Sequence, residues 1–271
     1  MLLCLDVGNT CVSIGVFENE KCIARFECPT HSMTAIDFFS AFLSDSLKMN
    51  RISPDEISAA VMCSVVPTCD EIIQASIENI LQITCLSIRS DMDFGFANHY
   101  KDPKQLGVDR VVNIIAVMDF FPREHCIIVD MGTATTVCAL HAEKGFLGGA
   151  ILPGLRLAMS SLKNHTAQLM EVAIEQPNHS IAQTTQEGIQ SGLFYGQLGA
   201  IKEILAGFKQ EAFANLSVKI IGTGGYAQIY QEHKIFDAIL PDLTLQGLRL
   251  AHDVFISPGI AHTMLLPMHH M

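Results

Sequence analysis

Apolar residues along this chain alternate between short continuous runs and longer stretches at helical spacing. Leu2 to Asp6 is a compact apolar run that ends on a carboxylate, after which Gly8-Asn9-Thr10 turns the chain. Cys11 to Phe17 predicts a second strand, Asn19-Glu20 a turn, and Cys22 to Phe26 a third strand. Ile36, Phe39, Phe42, Leu43 and Leu47 predict a helix within Thr34 to Leu47. Ala59 to Val66 predicts a buried strand. Pro67 opens a further helix, whose first turn carries Asp70 and Glu71 to suit the helix dipole. Thr84 to Ile88 predicts a short strand, Ser90 to Leu106 an irregular polar stretch, and Val108 to about Phe120 a helix.

The opening pattern then returns. Cys126 to Asp130 is apolar and ends on a carboxylate, and Gly132-Thr133-Ala134 turns the chain. Thr135 to Leu140 predicts a strand, Glu143-Lys144-Gly145 a turn, and Phe146 to Leu152 a third strand. Helical spacing follows over Leu155 to Met170 and Glu187 to Phe208. Val218 to Ile221 predicts a strand, Gly222 to Gly225 a loop, Tyr226 to Gln231 a short helix, and Leu245 to Phe255 a closing helix. Asp6-Val7-Gly8-Asn9-Thr10 and Asp130-Met131-Gly132-Thr133-Ala134 lie 124 residues apart, each followed by strand, turn and strand. That period is the size of a domain, too long for a solenoid repeat. The expected architecture is therefore a duplicated α/β unit, residues 1–118 and 119–271, with the closing helix able to pack back across the division.

Composition narrows the function classes. With 49% hydrophobic and 17% charged residues, the 271-residue chain has ample material for a core and is not intrinsically disordered. Lys and Arg number 17 against 28 Asp and Glu, a net charge of −11, which argues against sequence-independent nucleic-acid binding. The nine cysteines run from Cys4 to Cys138 with no Cys-x-x-Cys pair, so buried free thiols are expected rather than a zinc cage. No apolar stretch approaches the ~20 residues of a membrane span. The expectation is a cytoplasmic protein with neither membrane nor nucleic-acid partners. The histidines are scattered, and none is assigned a catalytic role; His269-His270 reads as part of a tail.

Several segments carry candidate chemistry. A strand ending on Asp and a glycine turn is either plain turn chemistry or a phosphate site, with Mg²⁺ accompanying the phosphates, because Gly8 lets a ligand approach the backbone and Asn9 and Thr10 offer donors. Two such turns at equivalent points of two half-domains favour the phosphate reading. Gly222-Thr223-Gly224-Gly225 is a strand–helix connection that would also let an adenosine lie flat against the backbone. Gly107-Val108-Asp109-Arg110 opens a helix beside a polar segment containing Tyr100. The segment is either a plain helix start with an early acidic residue and a stray Arg, or a carboxylate next to a guanidinium suited to proton abstraction from a hydroxyl on an anionic substrate. Gly148 to Gly154 permits tight strand packing, and Thr185 lies where a helix cap is expected.

Taken together, these motifs resemble the type III pantothenate kinases of the acetate and sugar kinase/Hsp70/actin superfamily, over nearly the whole chain from Asp6 to the Leu243–Leu248 stretch. The resemblance implies two ribonuclease-H-like (actin-like ATPase) domains with a nucleotide cleft between them. It implies ATP contacts for Asp6, Val7, Gly8, Asn9, Thr10, Cys11, Val12, Ser13 and Thr133, with Gly224 in the adenosine loop. Asp109 would be the general base, and Tyr100, Gly107, Val108, Asp109, Arg110 and Thr185 would hold pantothenate. Thr184 and Thr185 both stand near this position, and register with Gly192 favours Thr185. Asp130 would bind a monovalent cation, K⁺ or NH₄⁺; Mg²⁺ would accompany ATP. The family forms homodimers, with the Gly148–Gly154 segment as its interface motif.

Two rival functions remain at this stage. Another kinase of the superfamily would share the phosphate motifs but lacks a reason for Gly107-Val108-Asp109-Arg110. Some relatives were first described as Bvg accessory factors, so a transcriptional regulator without kinase activity is the second. The net charge of −11 and the intact Asp6, Asp109 and Asp130 argue against it.

Overall fold

The structure, a computed structural model, describes residues 1–256; His269-His270 lie outside the described residues. The chain divides into two compact units. The first comprises residues 1–96 and 100–120 together with Leu243–Ile256, and the second comprises Ala97–His99 and Phe121–Asp242. The closing helix thus belongs to the first unit, although the preceding 122 residues from Phe121 to Asp242 belong to the second.

The first unit is built on β1 (Leu2–Val7), β2 (Cys11–Glu18), β3 (Lys21–Pro29), β4 (Ala59–Ser64) and β5 (Cys85–Ile88). They form one sheet in the order β3-β2-β1-β4-β5. β1, β2 and β3 are antiparallel neighbours, and β4 and β5 extend the sheet in parallel with β1. Strand alternation sorts the side chains. Leu3, Leu5 and Val7 point into a core with Phe39, Leu43 and Leu47 of α1 (Ile36–Met49) and Ile73 and Ile77 of α2 (Pro67–Leu81). Cys4 and Asp6 therefore face the opposite side, where α3 (Val108–Phe120) and α6 (Leu243–Ile256) pack. Each fully buried Leu or Ile contributes about 1.5–3 kcal/mol, so this two-sided burial holds the central strand, and with it Asp6, in place.

The second unit repeats the design with β6 (His125–Met131), β7 (Ala134–His141), β8 (Gly145–Pro153), β9 (Val218–Thr223) and β10 (Ala238–Ile239), in the order β10-β9-β6-β7-β8. The pairing senses match strand for strand. Even the irregularities correspond, with register shifts between Val16 and Phe17 in the first unit and between Ala139 and Leu140 in the second. Ile127, Val129 and Met131 pack with Phe194, Leu198, Ile201 and Leu205 of the long helix α5 (Thr185–Ala212), and α4 (Leu155–His165) precedes it. Three antiparallel strands followed by parallel ones, twice, is the ribonuclease-H-like α/β fold that the sequence motifs imply.

Three details differ from the sequence expectation. β10, two residues long, carries no readable pattern. Helix α4 ends at His165 rather than Met170, because Thr166 Oγ1 donates to Leu162 O at 2.8 Å and accepts from Leu169 N at 3.3 Å, folding the chain back locally. Helix α5 begins at Thr185 rather than Glu187, and its cap is Thr184.

Candidate active site

The end of β1 presents Asp6, and the turn after it is tied from both sides. Gly8 N–H donates to Cys11 O at 3.1 Å, closing the turn. Thr30 latches it from β3's far end: its hydroxyl donates to Gly8 O at 2.6 Å and its N–H to Thr10 O at 2.9 Å. A β-carbon on Gly8 would stand 3.1 Å from Cys11 O, so the turn has little room for a side chain. Thr30 is missed by sequence reasoning, because nothing in the spacing of a strand end shows which turn it reaches. Val7 and Val12 are buried in the core and shape the turn, whereas Asn9 and Thr10 lie at its tip with Ser13 opposite Asp6.

The first turn of α3 faces the same side of the sheet as Asp6. The Asp109 carboxylate folds back to accept Arg110 N–H at 2.9 Å. It also occupies the space where a Gly107 β-carbon would stand, so a side chain there would displace the carboxylate. Burial raises the Asp109 pKa above the ordinary carboxylate value, and the Arg110 N–H and guanidinium offset only part of the rise. Arg110 is 4% exposed, and its guanidinium donates to Tyr100 Oη at 2.9 Å while lying 5.5 Å from the ring centroid. Tyr100, Gly107, Val108, Asp109 and Arg110 are thus one constellation: a fixed cation beside a carboxylate whose basicity burial has increased.

In the second unit, Asp130 occupies the position at the end of β6 that Asp6 holds on β1. Gly132 N–H donates to Ala134 O at 3.1 Å, and Gly154 N–H to Thr133 O at 3.1 Å. A β-carbon at Gly154 would overlap the carbonyls of Gly132 and Thr133. Gly224, at φ +82°, lies against Asp130: its absent β-carbon would stand 2.5 Å from Oδ1 and 2.7 Å from Met131. Asp130, Thr133 and Gly224 are therefore brought together. Among the described residues no group of three or more His, Cys, Asp or Glu side chains is arranged to hold a metal. An ion at Asp130 would take one carboxylate plus main-chain or ligand oxygens, a hard-oxygen set that fits K⁺.

Thr185 lies elsewhere in that unit. It lines a groove of about 900 Å³ between α4 and α5, with Pro153, Leu157, Leu162, Gly188 and Ile189 among its walls. The cap role that the sequence offered Thr185 belongs to Thr184, whose Oγ1 accepts Glu187 N–H at 3.2 Å while Glu187 Oε2 accepts the Thr184 N–H at 3.1 Å. The Thr184-x-x-Glu187 spacing carried that signal. The cap engages Thr184 and leaves Thr185 on the groove wall.

Comparison with known proteins identifies the family. The sequence profile of the type III pantothenate kinase family matches residues 2–207. A type III pantothenate kinase 1 of Francisella tularensis subsp. holarctica is 40% identical over 250 residues, covering 92% of this chain and 98% of the relative. A type III pantothenate kinase of Legionella pneumophila is 39% identical over 251 residues, covering 93% and 98%. Two solved structures share the fold. One is a Campylobacter jejuni chain assigned to the Baf family of transcriptional activators, with TM-score 0.58, 19% identity and coverage of 94% and 98%. The other is a Sinorhizobium meliloti chain assigned as a 2-dehydro-3-deoxygalactonokinase, with TM-score 0.55, 13% identity and coverage of 95% and 100%. With the profile spanning most of the chain and full-length relatives near 40% identity, this chain belongs to the type III pantothenate kinase family.

Proposed function

We propose that this chain transfers the γ-phosphoryl group of ATP to the primary hydroxyl of pantothenate, the first step of coenzyme A biosynthesis, with Asp109 as general base. The observation that carries the reading is the buried Asp109 carboxylate beside the Tyr100-anchored Arg110 guanidinium. Arg110 offers its charge to the pantothenate carboxylate, and the Gly107-Val108 backbone lies beside it. Asp109 accepts the hydroxyl proton as the substrate oxygen bonds to phosphorus and the bond to ADP breaks. Phosphoryl transfer leaves the protein mainly positioning and charge stabilisation. The Asp6–Ser13 turn serves the phosphates; Thr133 and the loop at Gly224 serve the nucleotide. A divalent metal accompanying ATP neutralises phosphate charge. The test is formation of 4′-phosphopantothenate by the purified protein with Mg²⁺ and ATP; folded protein that makes none under any monovalent cation overturns the reading. The regulator reading finds no support in the Campylobacter likeness, which at 19% identity speaks to fold alone.

Tyr100→Phe is expected to raise the KM for pantothenate by about tenfold, the scale of one hydrogen bond to a charged group, and to leave the KM for ATP unchanged. Steady-state kinetics with each substrate varied in turn checks it.

A monovalent cation, K⁺ or NH₄⁺, is assigned to Asp130. The support is its single carboxylate and the side-chain-free cradle that Gly224 leaves beside it. Activity should rise severalfold with added KCl over NaCl, and Asp130→Asn should abolish that difference.

The functional unit is assigned as a homodimer in the cytoplasm, as suits a metabolic kinase with free thiols. Leu157, on the wall of the groove that Thr185 lines, is 49% exposed, and Ile151 and Ile181, close in sequence to the groove residues Pro153 and Thr185, are 65% and 85% exposed. A second copy covering this face would bury them and complete the surroundings of Thr185. Sedimentation should return twice the chain mass, and Leu157→Glu with Ile181→Asp should yield monomers with weakened pantothenate binding.

A further inference from the structure

Cys63 takes no part in the reaction as described, yet it lies against the site. It stands on β4 in register with Asp6 on β1, and paired residues of parallel neighbours place their side chains on one face. Its Sγ is 3.5 Å from Asp6 Oδ1, with the thiol donating, and the residue is 1% exposed. Burial holds the Cys63 pKa well above its ordinary value, and the negative charges of Asp6 and then Asp109 add to the rise. The group is therefore a thiol at physiological pH, a donor and not a nucleophile. It also senses both carboxylates that the proposed reaction uses.

The duplication supplies an internal comparison. In the second unit the residue in register with Asp130 is Thr223. Its hydroxyl, chemically the stronger donor, gives its one hydrogen to Leu240 O at 2.7 Å. The same sheet position thus anchors a neighbouring loop in one unit and meets the strand-end aspartate in the other.

We propose that Cys63 is a positioning residue of the phosphate site: its S–H donates to Asp6 Oδ1 and holds that carboxylate in one rotamer before MgATP arrives. This rests on reading Asp6–Ser13 as the phosphate turn. Holding the carboxylate in advance spares binding the cost of ordering it, so the effect falls on MgATP affinity rather than on pantothenate.

Calorimetric titration of the wild type, Cys63→Ala and Cys63→Ser with MgATP and with pantothenate tests it, with an infrared difference spectrum of the S–H stretch. Cys63→Ala should weaken MgATP binding about three- to tenfold, the scale of one weak hydrogen bond to a charged group. Cys63→Ser should return it to within about twofold of the wild type, since a hydroxyl restores the donor. Pantothenate affinity should not move. The S–H band assigned by its loss in Cys63→Ser should lie at the lower frequency of a hydrogen-bonded thiol and rise in Asp6→Ala. Wild-type MgATP affinity in Cys63→Ala, no recovery in Cys63→Ser, or a fall in melting temperature alone overturns the proposal. So does a free-thiol frequency for the band assigned to Cys63 in the folded wild type. Wild-type protein that fails to bind MgATP overturns the phosphate-turn reading and this proposal together, whereas binding that is indifferent to Cys63 overturns this proposal alone.

Discussion

Asp109→Asn is expected to lower kcat for pantothenate phosphorylation by ~10²–10⁴-fold, the usual contribution of a positioned general base, while melting temperature and MgATP affinity stay near wild type. The substitution keeps the shape of the side chain and its contact with Arg110 N–H, which lies at 2.9 Å, and removes only the basic oxygen. The pH profile carries the second half of the expectation. Asp109 must be ionised to accept a proton, and burial raises its pKa, so kcat/KM should climb with pH and fall away on the acid side at a value above the ordinary carboxylate range. Arg110 lowers that pKa through its charge. Arg110→Gln should therefore move the acid limb to higher pH, in addition to weakening pantothenate binding. A profile whose acid limb does not respond to Arg110, or an Asn variant with wild-type kcat, removes Asp109 from the role of base.

Much of this was legible in the chain because the chemistry sits at the ends of apolar runs. A strand buried on both faces reads as a continuous apolar stretch, so a carboxylate closing such a stretch, as at Asp6 and Asp130, marks the strand end and the candidate site together. Gly107-Val108-Asp109-Arg110 was readable for a similar reason: an acidic residue early in a helix and a glycine before it are local features. What escaped reading depends on register or on distance along the chain. Cys63 looks like any core thiol until the pairing of β4 with β1 places it against Asp6. Thr30 latches a turn that lies 22 residues away. The apolar spacing that continued through Leu169 reports burial rather than helix, because Leu169 packs from a loop against the cluster of Met159, Val172 and Ile189. Periodicity records which residues leave water, and cannot by itself say which backbone carries them there.

Gly247→Ala should be the most damaging single-carbon change in the first unit, and it tests how Asp109 is held. Helices α3 and α6 cross where Gly247 lies on Val112: a β-carbon there would overlap the Val112 carbonyl oxygen and stand 2.6 Å from its carbon. The obstacle is backbone, which cannot swing aside as a side-chain tip can. Separating the helices would loosen the Thr244 Oγ1 to Asn113 Oδ1 hydrogen bond of 2.8 Å and shift a helix whose buried face runs through Val111, Val112, Ile114 and Ile115. Overpacking of this kind costs about 3 kcal/mol, which for a protein of this size is a fall in Tm of roughly 6–12 °C. Because α3 carries Asp109 in its first turn, kcat should fall as well, even in protein that remains folded at the assay temperature. Gly207→Ala is the matched control. It lies in α5 with open space where its β-carbon would go, so the better helix propensity of alanine should leave stability unchanged or raise it by up to ~1 kcal/mol. Equal melting temperatures for the two variants would mean that α6 does not press on α3 closely enough to set the position of the base. A large fall in Gly247→Ala alone would mean that a helix arriving from the far end of the chain holds Asp109, the proposed base, in place.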